Sequence, residues 1–404
     1  VNTPVAYQSS LKGALQFAAA IAEAREILLD APWARCSEPE RVAAERQLEH
    51  NIASALEQGF ILHDPCHPEL RCIDQHSQFG LFNADNRYHV ATIATPGTYV
   101  IRGRAGTSAD LQIQVGDGEP GLDGSVNIKP TDQLDKLEVD ERGEFELVIS
   151  DTRTGPNWLS NTKGDLRAKN VLIRESFMNW DTERAGTWHI ERVDSRGTPS
   201  PLPSRALVDS QYDRASRYLV GLTRGWVELV KNKVYRLPLN VLLAPGPTGE
   251  DGLEGQRSAL GRFQIDPSEA IVMKVKRSVA NYQSIQVGDL WFNAHDYCRR
   301  QTSLTMDQAH PSGGEPGDDC WFVISHEDPG VPNWLDPVGA STIVLFMRWQ
   351  GLADDVSLEA PEVDIVGLDR VREVTGEPYF SPEQRREQLA ARQAASLQSP
   401  RQFS

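Results

Sequence analysis

The stretch that decides the fold is Cys320–Trp349, CWFVISHEDPGVPNWLDPVGASTIVLFMRW, because the chain carries a second version of it. From Glu144 to Phe177 the sequence runs EFELVISDTRTGPNWLSNTKGDLRAKNVLIRESF. Each version has a Val-Ile-Ser strand end, a polar turn holding glycine, Pro-Asn-Trp-Leu, a short loop, and an apolar strand with one arginine, Arg174 or Arg348. Ser150 and Asn157 stand seven positions apart and Ser325 and Asn333 eight, so the versions differ by one turn residue. Short apolar runs bounded by Gly, Pro, Asn and Asp are antiparallel strands and their turns. The repeat predicts a duplicated sheet architecture.

Outward from these stretches, Thr98–Arg104, Leu111–Val115, Asn170–Arg174 and Gly186–Val193 read as further strands of a first β-sandwich over residues 61–203. The alternating IVMKVK from Ile271 opens a second, over 262–352. Helical period appears elsewhere. Residues 1–60 predict a hairpin of an alanine-rich helix stopped by Pro32 and a helix started by Ser37, Pro39 and Glu40, with Leu48, Ile52 and Leu56 on one face. Residues 204–261 predict a bridging helix over Ala206–Arg236 followed by a Gly/Pro-rich linker, Pro245–Gly261. Residues 353–404 read as an acidic irregular segment and a terminal helix started by Ser381 and Pro382.

Composition narrows the function. The net charge of −16 and pI near 5.1 argue against nucleic acid, whose phosphates require a basic face. No apolar run is long enough to span a membrane, and Val1–Leu29 lacks the basic start and compact apolar core of a secretory signal, so a cytoplasmic location is expected. Five cysteines make an odd, sparse set that suits reduced thiols.

With both versions in view, the chain resembles the bacterial family of the domain of unknown function 1214, whose members often accompany the related domain 1254. The resemblance runs from His63 to about Gly351. It rests on Asp64-Pro65 with His67-Pro68-Glu69, Asn83-Ala84-Asp85-Asn86-Arg87-Tyr88, Tyr99 with Arg102-Gly103, Gly288-Asp289-Leu290-Trp291-Phe292, Asp296-Tyr297, Arg299 with Gln301, Ser303-Leu304, Gln308-Ala309, and Asp328 through Asp336. It implies a jelly-roll-like β-sandwich with helical additions and no established activity. Ala84 stands where the family pattern usually has proline, and Asp151-Thr152-Arg153 replaces His326-Glu327-Asp328 in the first version.

Pro-Asn-Trp-Leu has a structural explanation, a fixed turn whose Trp and Leu plug the end of a sandwich, and a functional one, Trp334 as a stacking face beside Asn333. Its neighbours supply the expected catalytic set: His326 as proton carrier, Asp328 or Asp336 to orient it, and Arg348 or Arg299 to hold an anionic or carbonyl oxygen. Trp291, Asp296, Tyr297 and Arg299 suit a ligand mouth, though an Asp–Arg pair also pins a strand connection. Asn83, Asp85 and Tyr88 form a smaller polar turn of similar character. His63, Cys66, His67, Cys72 and His76 do not reproduce zinc-ligand spacing, and Gly116–Gly121 places acids where a phosphate would sit, so neither metal nor cofactor is expected. The expectation is a cofactor-independent enzyme acting on a small, partly apolar oxygenated metabolite by general acid/base chemistry (hydration, elimination or hydrolysis), in a groove between the paired repeats. The alternative is a non-catalytic carbohydrate- or small-ligand-binding sandwich protein. Homo-oligomer formation through the C-terminal helix is a third role.

Overall fold

The computed structural model describes residues 12–78, 80, 82–124, 128–248, 255–310 and 315–398. In the first half lie the strands β1 (Arg71–Ile73), β2 (Asn86–Thr92), β3 (Tyr99–Arg104), β4 (Asp110–Asp117), β5 (Lys129–Leu134), β6 (Glu144–Ser150), β7 (Trp158–Ser160), β8 (Thr162–Lys163), β9 (Leu166–Arg167), β10 (Asn170–Ser176) and β11 (Thr187–Arg192). They make one sheet ordered β1-β2-β10-β4-β5, another ordered β11-β3-β6-β7, and the small ribbon β8-β9. The second half supplies β12 (Val241–Leu242), β13 (Gly246–Pro247), β14 (Arg257–Phe263), β15 (Glu269–Lys276), β16 (Tyr282–Gly288), β17 (Ser303–Thr305), β18 (Asp319–Ile324), β19 (Trp334–Leu335), β20 (Ile343–Gln350) and β21 (Glu362–Gly367). Their sheets are ordered β12-β14-β20-β16-β17, with β13 also on β14, and β19-β18-β15-β21.

The two halves correspond strand for strand. The path β2-β10-β4-β5 matches β14-β20-β16-β17, and β11-β3-β6-β7 matches β21-β15-β18-β19. Register agrees as well: the parallel pair β6/β7 sets Val148 against Trp158, and β18/β19 sets Val323 against Trp334. The repeated asparagine explains why the motif recurs. Asn157 accepts from Glu138 N at 2.8 Å and donates to Glu138 O at 2.7 Å, while Asn333 accepts from His310 N and donates to His310 O at 2.7 Å each. In both halves this side chain closes a backbone gap beside the parallel pair, so an apolar substitute would leave buried polar groups unmatched.

Alternation along each strand sends one set of side chains inward. Tyr99, Ile101, Ile113, Leu147, Val171 and Ile173 fill the first core, and Phe263, Met273, Ile285, Phe322, Met347 and Trp349 the second. The structure is therefore mainly β, two related antiparallel sandwiches with helical additions. The second sandwich is wider than the expected 262–352. Arg257–Gly261, expected to be linker, belongs to the inner strand β14, because Ala259 and Phe263 face the core despite a glycine-rich lead-in. The acidic Glu362–Gly367 alternates well enough to add β21 to β15.

Helices cover one side. The N-terminal pair α1 (Lys12–Leu29) and α2 (Glu38–Phe60) and the bridging helix α3 (Arg205–Lys233) pack together through Phe17, Ala20, Ala55, Ala215, Leu219 and Leu222. Ser37 caps α2 by accepting from Glu40 N at 3.4 Å, and Ser204 caps α3 from Leu207 N at 3.1 Å. Trp33, Trp226 and Trp291 join these helices to the second sandwich.

The short helix α4 (Val371–Thr375) precedes the terminal helix α5 (Pro382–Gln398), which is strapped to its own chain. Buried Arg385 donates to Asp328 Oδ2 at 2.9 Å and to Pro332 O at 3.1 Å. Buried Arg392 donates to Ser303 Oγ at 2.8 Å and lies 4.4 Å over the Trp180 ring. One face of α5, the helix expected to meet a second copy, is thus engaged within the chain.

Candidate functional site

In a lone sandwich the outward-facing side chains of each sheet would be solvated. Here the β2-β10-β4 sheet and the β14-β20-β16-β17 sheet are joined across those outer faces, forming a polar seam. Ser176 Oγ donates to Gln350 Oε1 at 2.7 Å, Gln286 Nε2 donates to Phe82 O at 2.8 Å, and the Tyr282 hydroxyl donates to Asp85 Oδ2 at 2.8 Å. Asp85 also accepts from Trp180 Nε1 at 3.0 Å. Tyr282, Ser284, Gln286, Ser303 and Thr305 have no solvent exposure. Burying so many polar groups is costly unless each finds a partner, which makes the seam specific rather than merely adhesive.

Two arginines, one from each repeat, stand in this seam at matching register positions. Arg174 lies opposite Tyr88 and Gln112, and Arg348 opposite Ser258 and Ser284. Arg174 donates to Gln112 Oε1 at 2.8 Å and Gln114 Oε1 at 3.4 Å, and Arg348 to Gln286 Oε1 at 2.9 Å. Burial lowers both guanidinium pKa values, with Tyr88 opposing the shift in each case. Burial raises the Tyr88 phenol, and the Arg348 and then the Arg174 charge draw it back. One hydroxyl therefore feels both cations. Asn86 Nδ2 donates to it at 3.2 Å.

Tyr88, Arg174, Phe346 and Phe292 are only half-buried although they sit inside the molecule. Each keeps some accessible surface beside the seam. Aromatic rings wall this region: Phe82 packs 5.0 Å from Tyr88 and 6.1 Å from Tyr297, and Phe292 lies 5.8 Å from Phe346.

The residues expected from sequence divide cleanly. Asn83, Asp85 and Tyr88 belong to the seam, as does Arg348. His326 does not. It sits half-buried in the turn after β18. Ile324, Leu335, Met347 and Trp349 fill the core between that turn and the outward face carrying Arg348. Asp328 is bound to Arg385, and Asp336 accepts from Arg300 Nη1 at 2.6 Å. The expected convergence of imidazole, acids and guanidinium is thus not what the fold brings together. Trp291 is fully buried beneath α2, donating to Glu40 O at 3.0 Å. Trp334 donates to Ser325 O at 3.0 Å and carries Arg385 on its ring, and Asn333 is spent on the turn. Asp296 and Arg299 form an exposed pair at 3.1 Å, while Tyr297 is buried with its ring among the seam aromatics.

Sequence reasoning named Arg174 only as the arginine of the first repeat, not as a site residue, and missed Gln114 and Gln286, although a signal for them exists. Ile113–Asp117 and Ile285–Asp289 both read IQVGD, and in each copy the Gln faces the seam and accepts from the neighbouring strand's arginine.

Two recesses adjoin the seam face. A cavity of about 70 Å³ lies under α2 and α3, against Val90 and Leu172. A polar recess of about 240 Å³ lies beside Asp110, Asp135, Glu175 and Asn281. Burial, then the Asp135 charge, pushes Asp110 up to about 6. Among the described residues no group of three or more His, Cys, Asp or Glu is placed to hold a metal ion, and no helix is long and apolar enough to cross a membrane.

No family model matches the chain, and no curated protein matches it. Among solved structures it is similar to an uncharacterized protein from Burkholderia cenocepacia, with a TM-score of 0.77 and 23% identity over 90% of this chain and 98% of that one. A protein from Vibrio parahaemolyticus aligns with a TM-score of 0.44 and 13% identity over 79% of this chain and 98% of that one. The Burkholderia likeness extends the fold to a second sequence.

Proposed function

We propose that the protein binds a small, partly apolar, oxygenated molecule in the seam between its two sandwiches, with Arg174, Arg348 and Tyr88 at the polar end of the site. The observation that carries this reading is Arg174. It is a desolvated, half-buried cation whose hydrogen-bond partners among the described residues are neutral amide oxygens. Taking a charge out of water without a counter-ion is unfavourable, and a bound polar ligand would relieve it. The aromatic walls suit the apolar part of such a molecule.

A second reading, turnover of the bound molecule by an enzyme of lyase or hydrolase type, is favoured by Tyr88. Its phenol stays protonated at neutral pH and faces two cations that would stabilise charge developing on it or on an adjacent oxygen. The motif resemblance to the domain of unknown function 1214 family remains part of this proposal and carries no activity of its own. Free thiols at all five cysteines support a cytoplasmic location.

Mass spectrometry of small molecules retained by the purified chain, followed by titration calorimetry with a broad panel of acids, amides, alcohols and sugars, tests binding. A ligand whose affinity drops at least tenfold in Arg174→Gln supports the seam. If nothing in the panel binds, or binding ignores both arginines, the reading fails. Tyr88→Phe separates the two readings, since a binder keeps its ligand while a Tyr88-dependent enzyme loses turnover.

A further inference from the structure

The ligand class follows from how the outer face of the first sandwich is arranged, and the argument rests on the seam reading above. Along β10, Arg174 and Leu172 share a face, as do Tyr88 and Val90 along β2. Same-face neighbours on a strand lie about 7 Å apart. Leu172 and Val90 line the cavity under α2 and α3, together with Leu62, Ile73 and Leu122. An arginine short of a counter-ion thus stands one side-chain step from an apolar hollow.

Nearly all polar groups around that hollow already have partners. Ser54 Oγ lies 3.0 Å from the Tyr218 hydroxyl, Arg71 donates to Glu57 at 2.8 Å, and Arg214 donates to Glu119 at 3.0 Å. Lys169 is held by Asp117 at 3.3 Å. Such a space gives water little to bind and gives hydrocarbon much. Among the buried side-chain atoms of the described lining residues, Asn170 Oδ1 is without a partner, two residues beyond Leu172 at the end away from Arg174. It would accept from a hydroxyl at the far end of a chain.

We infer that the site takes an amphipathic monocarboxylate, its carboxylate on the Arg174 guanidinium beside Tyr88 and its aliphatic chain in the cavity beneath α2 and α3. Guanidinium presents two parallel N–H donors to a carboxylate, which neither an amide nor an alcohol can match. A hollow of about 70 Å³ takes roughly two or three methylene-sized groups at about 30 Å³ each, and the step of about 7 Å from Arg174 to it takes roughly five more, so the chain is of medium length.

Titration calorimetry on the full chain with acetate, butyrate, hexanoate, octanoate and decanoate, and with hexanamide and hexanol, tests this. Affinity should rise about three- to fourfold per methylene and level off near octanoate. Hexanamide and hexanol should bind at least tenfold more weakly than hexanoate. Arg174→Gln should erase that preference and Arg174→Lys retain part of it. Leu172→Trp, filling the hollow, should abolish the gain in affinity with chain length. Thermal melts of each variant check folding. Equal binding of hexanoate and hexanamide, or a neutral ligand of the broad panel that depends on Arg174 while no carboxylate binds, overturns the inference and leaves the seam reading standing. Absence of binding by every acid and every panel member removes both.

Discussion

Glu175 and Trp349 occupy the same place in the two sandwiches, immediately after the seam arginine and facing inward. In the second sandwich the tryptophan completes an apolar core. In the first a buried carboxylate takes its place, accepting from Gly186 N at 2.7 Å and Trp188 Nε1 at 3.1 Å, and burial raises its pKa. The inward position is an indole in one copy and an acid in the other, yet the outward neighbour is arginine in both and the Gln that holds it is repeated too. The copies thus differ at this inward position and agree on the outward Arg and Gln, while other outward positions, such as Tyr88 against Ser258, differ.

The largest expected effect sharpens this contrast. Trp349→Ala should lower stability by about 3–5 kcal/mol, as expected for emptying a large aromatic site in a packed core. Glu175→Gln should cost less, about 1–2 kcal/mol, because it keeps an acceptor for Gly186 N and removes a charge that burial disfavours, while its amide NH2 loses the bond from Trp188 Nε1. Urea unfolding of both variants measures the difference. Equal losses would mean that the acid contributes as much to its core as the tryptophan does, and the comparison would collapse.

Next comes an acid response confined to the first sandwich. His89 is buried where the second copy has Ala259, and desolvation, then the Arg87 charge, lowers its pKa to about 3. The unfolded chain, with an ordinary value of 6.5, binds the proton more readily across the window from 6.5 to 3. Stability from this group is complete above 6.5 and is lost as pH falls towards 3, by a few kcal/mol in order of magnitude. His89→Ala should therefore unfold with a smaller drop in urea midpoint between pH 7 and pH 4 than the parent. An unchanged drop would remove His89 as the cause.

Much of the architecture was legible in the sequence because strand alternation and the Pro-Asn-Trp-Leu turn are local signals. Several strands, both capped helices and the duplication followed from them. Other strands, among them β2, β5 and β16, were not named, and β14 and β21 reached beyond the expected sheet segments, β14 behind a glycine-rich lead-in and β21 among acidic residues. The site was less legible, since a motif marks a strong turn as readily as a site. Asn333, Trp334 and Asp336 recur or pair for structural reasons, and His326 sits on the far side of a core that sequence spacing does not reveal. Asn83, Asp85 and Tyr88 were recognised as polar turn residues, but their role depends on two outer sheet faces meeting. No local pattern encodes that meeting. The doubled IQVGD, aligned with the doubled arginine, marks only which residues of the two sheets match.

The smallest effects compare the outward positions. Asp110 stands in the first copy where Tyr282 stands in the second. Tyr282 is matched to Asp85, whereas Asp110 faces Asp135 and is pushed up to about 6 from an ordinary 3.8. The folded chain therefore holds this proton more tightly than the unfolded chain between pH 3.8 and 6, so its contribution to stability falls as pH rises through that window and stays low above it. Asp110→Asn should stabilise by about 1 kcal/mol at pH 7.5 and by nothing measurable near pH 3.5. A gain equal at both pH values would trace to packing rather than to the charge. Arg299→Gln is the control for both comparisons: its pair with Asp296 is exposed and outside the seam, so neither urea midpoint nor ligand affinity should move. Loss of affinity in that variant would relocate the site to the loop after β16 and strip the two matched arginines of their special standing.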